Sequence, residues 1–369
     1  LGLQAFFAVL PIVLAGILLV GLRISAKNAM PLVYISAVAI AFVVWEVSFS
    51  RVMASTIEGI LITVSVLWII FGAILLLNTL KHSGAIIVIR QGFNNISPDR
   101  RIQAIIVAWL FGCFIEGASG FGTPAAIAAP LLVAIGFPAM AAVMLGMMVQ
   151  STPVSFGAVG TPILIGVNKG LDSAGIGANL QNLGSSWDVY LQIITSEVAI
   201  THAIAGTLIP LFMCLMLTRF FGENKSWTEG LAILPFAIFG GLAFTIPYAL
   251  TGVFLGPEFP SLIGALVGLP IVILAAKSGF LVPKKTWDFA PMEKWPSSWM
   301  SKFEMKFDAM TSKVPMSLTK AWIPYILVAI VLVITRVSPE VKSFISSFAF
   351  SYKNILGEGL NFSMAPLYL

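Results

Sequence analysis

An acidic residue and a run of helix-breaking residues interrupt an apolar stretch of the sequence, and both can do chemistry. Residues 113–132 read CFIEGASGFGTPAAIAAPLL, in which Glu116 is followed by glycines, a serine, a threonine and a proline. A charged carboxylate inside a membrane is costly, so such a residue usually faces a cavity, pairs with another group or takes up a proton. Glu116 is therefore predicted to carry a coupled proton. The structural alternative is a glutamate that caps neighbouring backbone N–H groups.

Two Thr-Pro pairs predict helix starts within apolar sequence. They are Thr123-Pro124 and Thr161-Pro162, and Ser151-Thr152-Pro153 is a weaker third instance. Threonine is a favourable N-cap, and proline suits the first helical position. A helix that starts at membrane depth exposes N–H groups that only protein or water can satisfy, and its positive end attracts anions. These segments are predicted to bind an anionic substrate.

The predicted substrate-binding residues are all glycine, serine or threonine, in the two segments that contain the predicted helix starts. They are Ser119, Gly120, Gly122, Thr123, Ser155, Gly160 and Thr161. The two segments also resemble each other, since SGFGTPAA at 119–126 is similar to SFGAVGTPIL at 155–164. The alternative is close helix packing, in which small residues let helices approach and prolines only kink them.

His202 is a second titratable group in apolar sequence, and Glu197 lies five residues before it. His202 is predicted to take part in proton coupling, and a hydrogen-bonded core histidine is the alternative. Cys113 and Cys214 are the two cysteines, too few for a disulfide framework or a thiolate metal site. The sequence predicts no catalytic residue, no metal site and no cofactor.

The elements that must position these residues are membrane helices. The 369 residues are 58% hydrophobic and only 10% charged, with a mean hydropathy of +0.98. A membrane-spanning helix needs about 20 mainly apolar residues. Apolar stretches that approach or exceed this length lie at 3–22, 31–45, 60–80, 102–116, 138–157, 189–217, 230–250, 260–276 and 321–335. We expect an all-α polytopic membrane protein with about nine or more transmembrane segments, some broken or re-entrant.

The net charge of +5 is concentrated in two loops rather than spread as in a nucleic-acid-binding protein. Residues 81–101 hold four basic residues, and residues 277–320 hold eight lysines. By the positive-inside rule both loops are predicted to be cytoplasmic, the N-terminus periplasmic and the polar loop 168–188 periplasmic. No nucleic-acid partner is expected, and the lipid bilayer is.

The changes in composition predict five regions. They are N-terminal transmembrane helices with a cytoplasmic connection (1–101), a broken-helix substrate and coupling region (102–167), further transmembrane helices (168–277), a cytoplasmic loop that is either amphipathic or simply solvated (278–320), and a transmembrane helix with the start of a second repeat (321–369).

Two long motifs carry a family resemblance. GCFIEGASGFGTPAAIAAPLLVAIGFPAMAAV (112–143) and VQSTPVSFGAVGTPILIGV (149–167) closely resemble the L-lactate permease family of bacterial membrane transporters. The resemblance implies proton-coupled uptake of L-lactate, glycolate and related 2-hydroxy monocarboxylates across the inner membrane, without enzymatic activity. It also implies an inverted-repeat design, of which this sequence would hold one repeat and part of the second.

Two other functions remain open from the sequence. A passive monocarboxylate channel would conduct lactate without accumulating it. The GASG motif at 117–120 also matches rhomboid-type intramembrane proteases, with Ser119 as the nucleophile and His202 as its base. The sequence does not decide between lactate and glycolate, between H⁺ and Na⁺ coupling, or between a monomer and an oligomer.

Overall fold

The computed structural model describes residues 2–94, 96–120, 122–171, 173–300, 316–364 and 366. The chain divides into two compact units, one formed by residues 1–69 and 342–369 and the other by residues 70–341.

Helices account for nearly all of the regular structure. In chain order they are α1 (Gly2–Gly16), α2 (Ala26–Val43), α3 (Phe49–His82), α4 (Ala85–Asn94), α5 (Arg100–Gln103), α6 (Phe111–Ser119), α7 (Thr123–Ala134), α8 (Ala139–Met148), α9 (Gly157–Thr161), α10 (Asn168–Gly170), α11 (Ser173–Asn182), α12 (Trp187–Gly206), α13 (Ile209–Phe221), α14 (Trp227–Leu231), α15 (Leu234–Phe254), α16 (Pro260–Ser278), α17 (Leu318–Val337) and α18 (Pro339–Ser346). π-Helical turns at Ile17–Gly21, Ala104–Leu110 and Pro162–Val167 continue neighbouring helices, and short 3₁₀ turns lie at Val149–Ser151, Val154–Phe156, Met292–Lys294 and Ser297–Trp299.

The smaller unit contains a β-hairpin that the sequence analysis did not predict. Strands β1 (Phe350–Ile355) and β2 (Leu360–Met364) pair antiparallel. Ile355 and Phe362 pack with Ala54 of α3. The Arg51 guanidinium donates to the Glu358 carbonyl at the turn of the hairpin, with an N···O distance of 2.5 Å. Backbone pairing and one small apolar contact therefore fold this segment onto α3.

A buried helical run forms the centre of the larger unit. It comprises α5, the π-helical turn Ala104–Leu110 and α6, and every residue from Arg101 to Ala118 is buried. A helix that is apolar all round is stable only inside a protein or a membrane. Trp109 packs edge-to-face on Phe244 of α15, with 5.0 Å between ring centroids. Glu116 is thereby held on the most buried helix of the unit.

Helices α6 and α7 form a hairpin whose tip is the break at 120–122. The Arg100 side chain donates to the Ile135 carbonyl just after α7, so the two ends of the hairpin lie side by side. Helix rise places Glu116 about 24 Å along the axis from Arg100. Glu116 therefore lies towards the end of the run that is remote from Arg100.

Helices α12, α15 and α16 pack closely through small residues. Gly252 of α15 approaches Ala199 of α12, and Gly264 of α16 approaches Tyr248 of α15. A Cβ atom at Gly264 would lie 3.0 Å from the Tyr248 Cβ. Close backbone approach through small residues is how membrane helices associate.

A buried polar network surrounds Arg101 and Asp99 at the start of α5. The Arg101 guanidinium forms a 2.6 Å ion pair with Asp99, and both side chains are 2% exposed. Arg101 also donates to the Lys285 carbonyl, and Asp99 accepts from the Trp287 N–H. Loop 278–300 is thus anchored to the start of α5, and the two basic loops lie on one side of the unit.

Seven helices are long and apolar enough to cross a membrane within the described ranges, or eight if a bent pair counts as one span. That pair joins residues Ala139–Ser151 to Val154–Val167 at an angle of 66°. All nine predicted apolar stretches contain helix, the last as α17, so the all-α polytopic class is confirmed. The segment predicted as a periplasmic loop contains α11. The stretch suggested to be amphipathic falls mostly in 301–315, outside the described residues.

Opposite-side labelling tests the topology. We expect Lys294→Cys and Asn182→Cys to react with a membrane-impermeant maleimide from opposite sides of the membrane. Three candidate spans separate the two positions, Trp187–Phe221, Leu234–Phe254 and Pro260–Ser278, and an odd number of crossings changes the side. The native Cys113 and Cys214 are fully buried and provide a low background. Labelling of both positions from the same side contradicts the topology.

Candidate functional site

The first break separates α6 from α7. Helix α6 ends at Ser119, Gly120 has φ 58° and ψ −153°, and Gly122 is left-handed with φ 78° and ψ 10°. Gly122, not Thr123, is the N-cap of α7. The N-cap role predicted for Thr123 is therefore wrong, because its hydroxyl donates to the Gly120 carbonyl at 2.8 Å and closes the turn.

The second break covers residues 149–161. Short 3₁₀ turns lead into α9, where Ala158, Val159 and Gly160 are all left-handed. Positive φ at a β-branched residue such as Val159 is strained and persists only where the surroundings enforce it. The Thr161 hydroxyl does not cap the following turn but donates to the Ala158 carbonyl at 2.6 Å. Ser151-Thr152-Pro153 leads only into the 3₁₀ turn Val154–Phe156.

The two Gly-Thr-Pro motifs have the same local structure. Gly122 and Gly160 have φ/ψ of 78°/10° and 78°/11°, and each following threonine donates to the carbonyl three residues earlier. The sequence similarity between the segments thus has a direct structural counterpart.

Close contacts through glycines bring the two breaks together. A Cβ atom at Gly120 would lie 2.7 Å from the Ala158 backbone nitrogen. A Cβ atom at Gly157 would lie 2.7 Å from the Glu116 Oε1 atom. Real Cβ atoms do not approach so closely. A larger residue at Gly120 would therefore force the backbones of the two breaks apart, and one at Gly157 would displace the Glu116 carboxyl group. Glu116 and both breaks therefore form one site.

Glu116 is enclosed in this conformation. The residue is 2% exposed, and its Oε2 atom has no hydrogen-bond partner among the described residues. An ionised carboxylate buried without partners is strongly unfavourable, whereas a protonated one is tolerated. The enclosed position therefore suits the neutral carboxyl group, and ionisation requires access to water.

The two motifs differ in what surrounds them. Apart from its chain neighbours, no described residue has an atom within 4 Å of a Cβ position at Gly122, whereas a Cβ at Gly160 would lie 2.5 Å from the Pro257 carbonyl oxygen. Helix α7 begins at the open motif and has no side-chain cap. Space for an anion is thus found at the first break, while Gly160 packs against the loop between α15 and α16.

His202 contacts the second break through both ring nitrogens. Its Nδ1 atom lies 2.9 Å from the Thr152 carbonyl oxygen, and its Nε2 atom lies 3.3 Å from the Ser155 hydroxyl. Both ring nitrogens are therefore engaged by residues of the second break, whereas the protease alternative uses this imidazole as the base of Ser119. The Ser119 side chain itself lies outside the described part of the structure. Glu197 is exposed on α12.

Three further residues lie at the site and were not predicted from the sequence. Tyr248 and Ser261 donate to backbone carbonyls of the second break. Glu258 is 6% exposed, and its backbone nitrogen approaches Gly160. Glu258 had a detectable signal, since GPEFPS places an acid and two prolines between two apolar stretches. Tyr248 and Ser261 had none, because each reads as an ordinary residue of a membrane helix.

A helical membrane bundle in which two broken segments meet at a buried carboxyl group has the architecture of secondary transporters with discontinuous helices. The chain belongs to the L-lactate permease family, whose model matches residues 4–365.

Named relatives cover most of this chain. The L-lactate permease of Escherichia coli K12 is 29% identical over 350 residues, which are 94% of this chain and 57% of the relative. The glycolate permease GlcA of the same strain is 28% identical over 353 residues, 95% of this chain and 58% of the relative. The L-lactate permease of Bacillus subtilis is 28% identical over 340 residues, 90% of this chain and 55% of the relative. The chain thus spans little more than half the length of these relatives. No solved structure matches it.

Proposed function

We propose that the protein is a secondary active transporter that imports L-lactate and related 2-hydroxy monocarboxylates, such as glycolate, by proton symport across the bacterial inner membrane. Family membership and the names of the relatives support the substrate class. The observation that carries the mechanism is the meeting of both breaks at the enclosed carboxyl group of Glu116, whose Oε2 atom has no hydrogen-bond partner among the described residues.

The substrate carboxylate binds at the first turn of α7 in this proposal. The helix has 12 residues and no side-chain cap. The Thr123 N–H already donates to the Gly120 carbonyl and Pro124 has no N–H, so the N–H groups of Gly122 and Ala125 are the ones proposed to bind the anion. The open space beside Gly122 admits the substrate. The other predicted substrate-binding residues surround this space in the proposal. They are Ser119, Gly120, Thr123, Ser155, Gly160 and Thr161.

Proton coupling follows from placing two carboxyl groups at one site. When the substrate anion arrives, an ionised Glu116 would repel it in surroundings that screen charge poorly. Protonation of Glu116 removes this repulsion, so anion and proton bind together. His202 is the second predicted coupling residue.

A neutral load also lowers the cost of crossing. Moving one uncompensated charge through a membrane potential is worth about 2.3 kcal/mol per 100 mV, in addition to its desolvation. A lactate anion that travels with a proton avoids this cost. After lactate and the proton are released inside, the empty carrier returns, and Glu116 then takes up a new proton from the outside.

Glu116→Gln tests the coupling role. Glutamine mimics the protonated carboxyl permanently, so we expect the variant to bind lactate and to exchange internal for external lactate. It should lose accumulation driven by an inward proton gradient, because no proton can leave. Uptake and counterflow of labelled lactate in proteoliposomes measure both properties.

Glu197→Gln is the matched control, because Glu197 is an exposed acid within a membrane-spanning helix and should keep accumulation. Retained accumulation in Glu116→Gln excludes Glu116 as the coupling group. Wild-type protein that equilibrates lactate but never concentrates it is a passive channel, which contradicts symport itself.

Gly122→Leu tests the position of the anion site. The new side chain would fill the open space beside the start of α7, and we expect it to abolish lactate uptake. Gly279→Leu is the control, because Gly279 has φ 75° and also has no atom within 4 Å of its Cβ position. Both substitutions carry a left-handed strain of about 1–2 kcal/mol. Equal loss of uptake in both variants would assign the effect to strain and refute the site.

A further inference from the structure

The chain leaves helical geometry between Met148 and Pro162, and its carbonyl groups there need other donors. In the hydrocarbon core of a membrane, an unsatisfied backbone carbonyl is strongly unfavourable. The carbonyls of Thr152 and Pro153 lie at the start of this stretch, just before the strained residues 158–160.

Side chains from three different helices satisfy these two carbonyls. His202 of α12 and Tyr248 of α15 reach the Thr152 oxygen at 2.9 and 3.1 Å. The Pro153 oxygen accepts from the Phe156 N–H within its own turn, and the Ser261 hydroxyl of α16 is its second donor at 2.8 Å. A carbonyl oxygen has two lone pairs, so Thr152 can accept from both side chains.

Helix α12 is shaped to receive Thr152. His202 and Gly206 are four residues apart and so lie on the same face of the helix. A Cβ atom at Gly206 would lie 3.0 Å from the Thr152 Oγ1 atom, so the glycine allows the close approach. Thr152 itself is 1% exposed.

The Thr152 contact determines what His202 can do. A carbonyl oxygen only accepts, so Nδ1 must carry a proton and donate it. In the neutral imidazole Nε2 is then an acceptor, and the Ser155 hydroxyl lies 3.3 Å away. Both ring nitrogens are engaged by residues of the second break.

We propose that His202, Tyr248 and Ser261 are positioning residues that hold the second break against Glu116, and that His202 acts through its Nδ1–H donor rather than by carrying the coupled proton. This inference rests on the proposed function, and it assigns to His202 a role different from proton coupling. The three donors fix residues 152–153. Further along the chain, Gly157 contacts Glu116, and Ala158, the first residue of the left-handed turn, contacts Gly120.

Substitutions at His202 separate the two roles. Asparagine places an amide N–H the same number of bonds from the backbone as Nδ1, yet it does not titrate. Alanine removes the donor, and glutamine moves it one bond further out. The readouts are the rate of lactate counterflow and the accumulation driven by an inward proton gradient, each per reconstituted protein.

We expect His202→Asn to stay within about threefold of wild type in both readouts, and His202→Ala to lose about tenfold in both, the effect of one lost hydrogen bond. His202→Gln should fall between them. The ratio of accumulation to counterflow should remain unchanged in all variants, because Glu116 is intact. A proton carrier predicts instead that His202→Asn keeps counterflow and loses accumulation, and that result overturns the proposal.

Tyr248→Phe keeps the test decisive if a His202 variant does not fold. It removes one donor to the same carbonyl with little change in volume, and we expect both readouts to fall several-fold together. An unchanged Tyr248→Phe, or a His202→Asn no better than His202→Ala, contradicts the positioning role. If wild-type protein shows no gradient-driven accumulation, the proposed function fails, which is a separate outcome.

Discussion

The contact between the Glu116 carboxyl group and the left-handed turn of the second break is the constraint on which the site depends. It exists because Gly157 has no side chain where Oε1 lies and Gly120 has none where Ala158 lies. Two interrupted helices can therefore close over an acidic group whose Oε2 atom has no partner in the described part of the chain. A buried carboxyl group that forms no ion pair is suited to gain and lose a proton, because no ion pair must be broken when it does so.

The surrounding helices make this contact possible. The buried run from Arg101 to Ala118 fixes the position of Glu116. Helices α12, α15 and α16 supply the side-chain donors for the second break. At the other end of the run, the buried Arg101–Asp99 pair anchors loop 278–300. Removing one partner of a buried ion pair strongly destabilises a protein, because the other charge is left buried without compensation. The left-handed residues Ala158 and Val159 lie at the end with Glu116, as does the Glu116 Oε2 atom, which has no partner among the described residues.

Much of the fold was predictable from the sequence, because apolar length alone specifies membrane helices. The breaks were also predictable, since glycine and Thr-Pro pairs act locally. The contrast between Gly122 and Gly160 was not, because it depends on Pro257, about a hundred residues away. Nor were the donors Tyr248 and Ser261, whose partners are backbone atoms distant in sequence. The hairpin at 350–364 was missed although alternating residues around LGEG are a strand signal.

Lactate affinity as a function of pH, measured on purified wild-type protein and on Glu116→Gln, tests the central claim most directly. If the anion binds only when Glu116 is protonated, wild-type affinity should fall by about tenfold per pH unit at the alkaline end, the linkage expected for one proton. The affinity of Glu116→Gln should not change over the same range. A wild-type affinity independent of pH, or the same alkaline loss in the glutamine variant, would show that Glu116 and the substrate do not share a site.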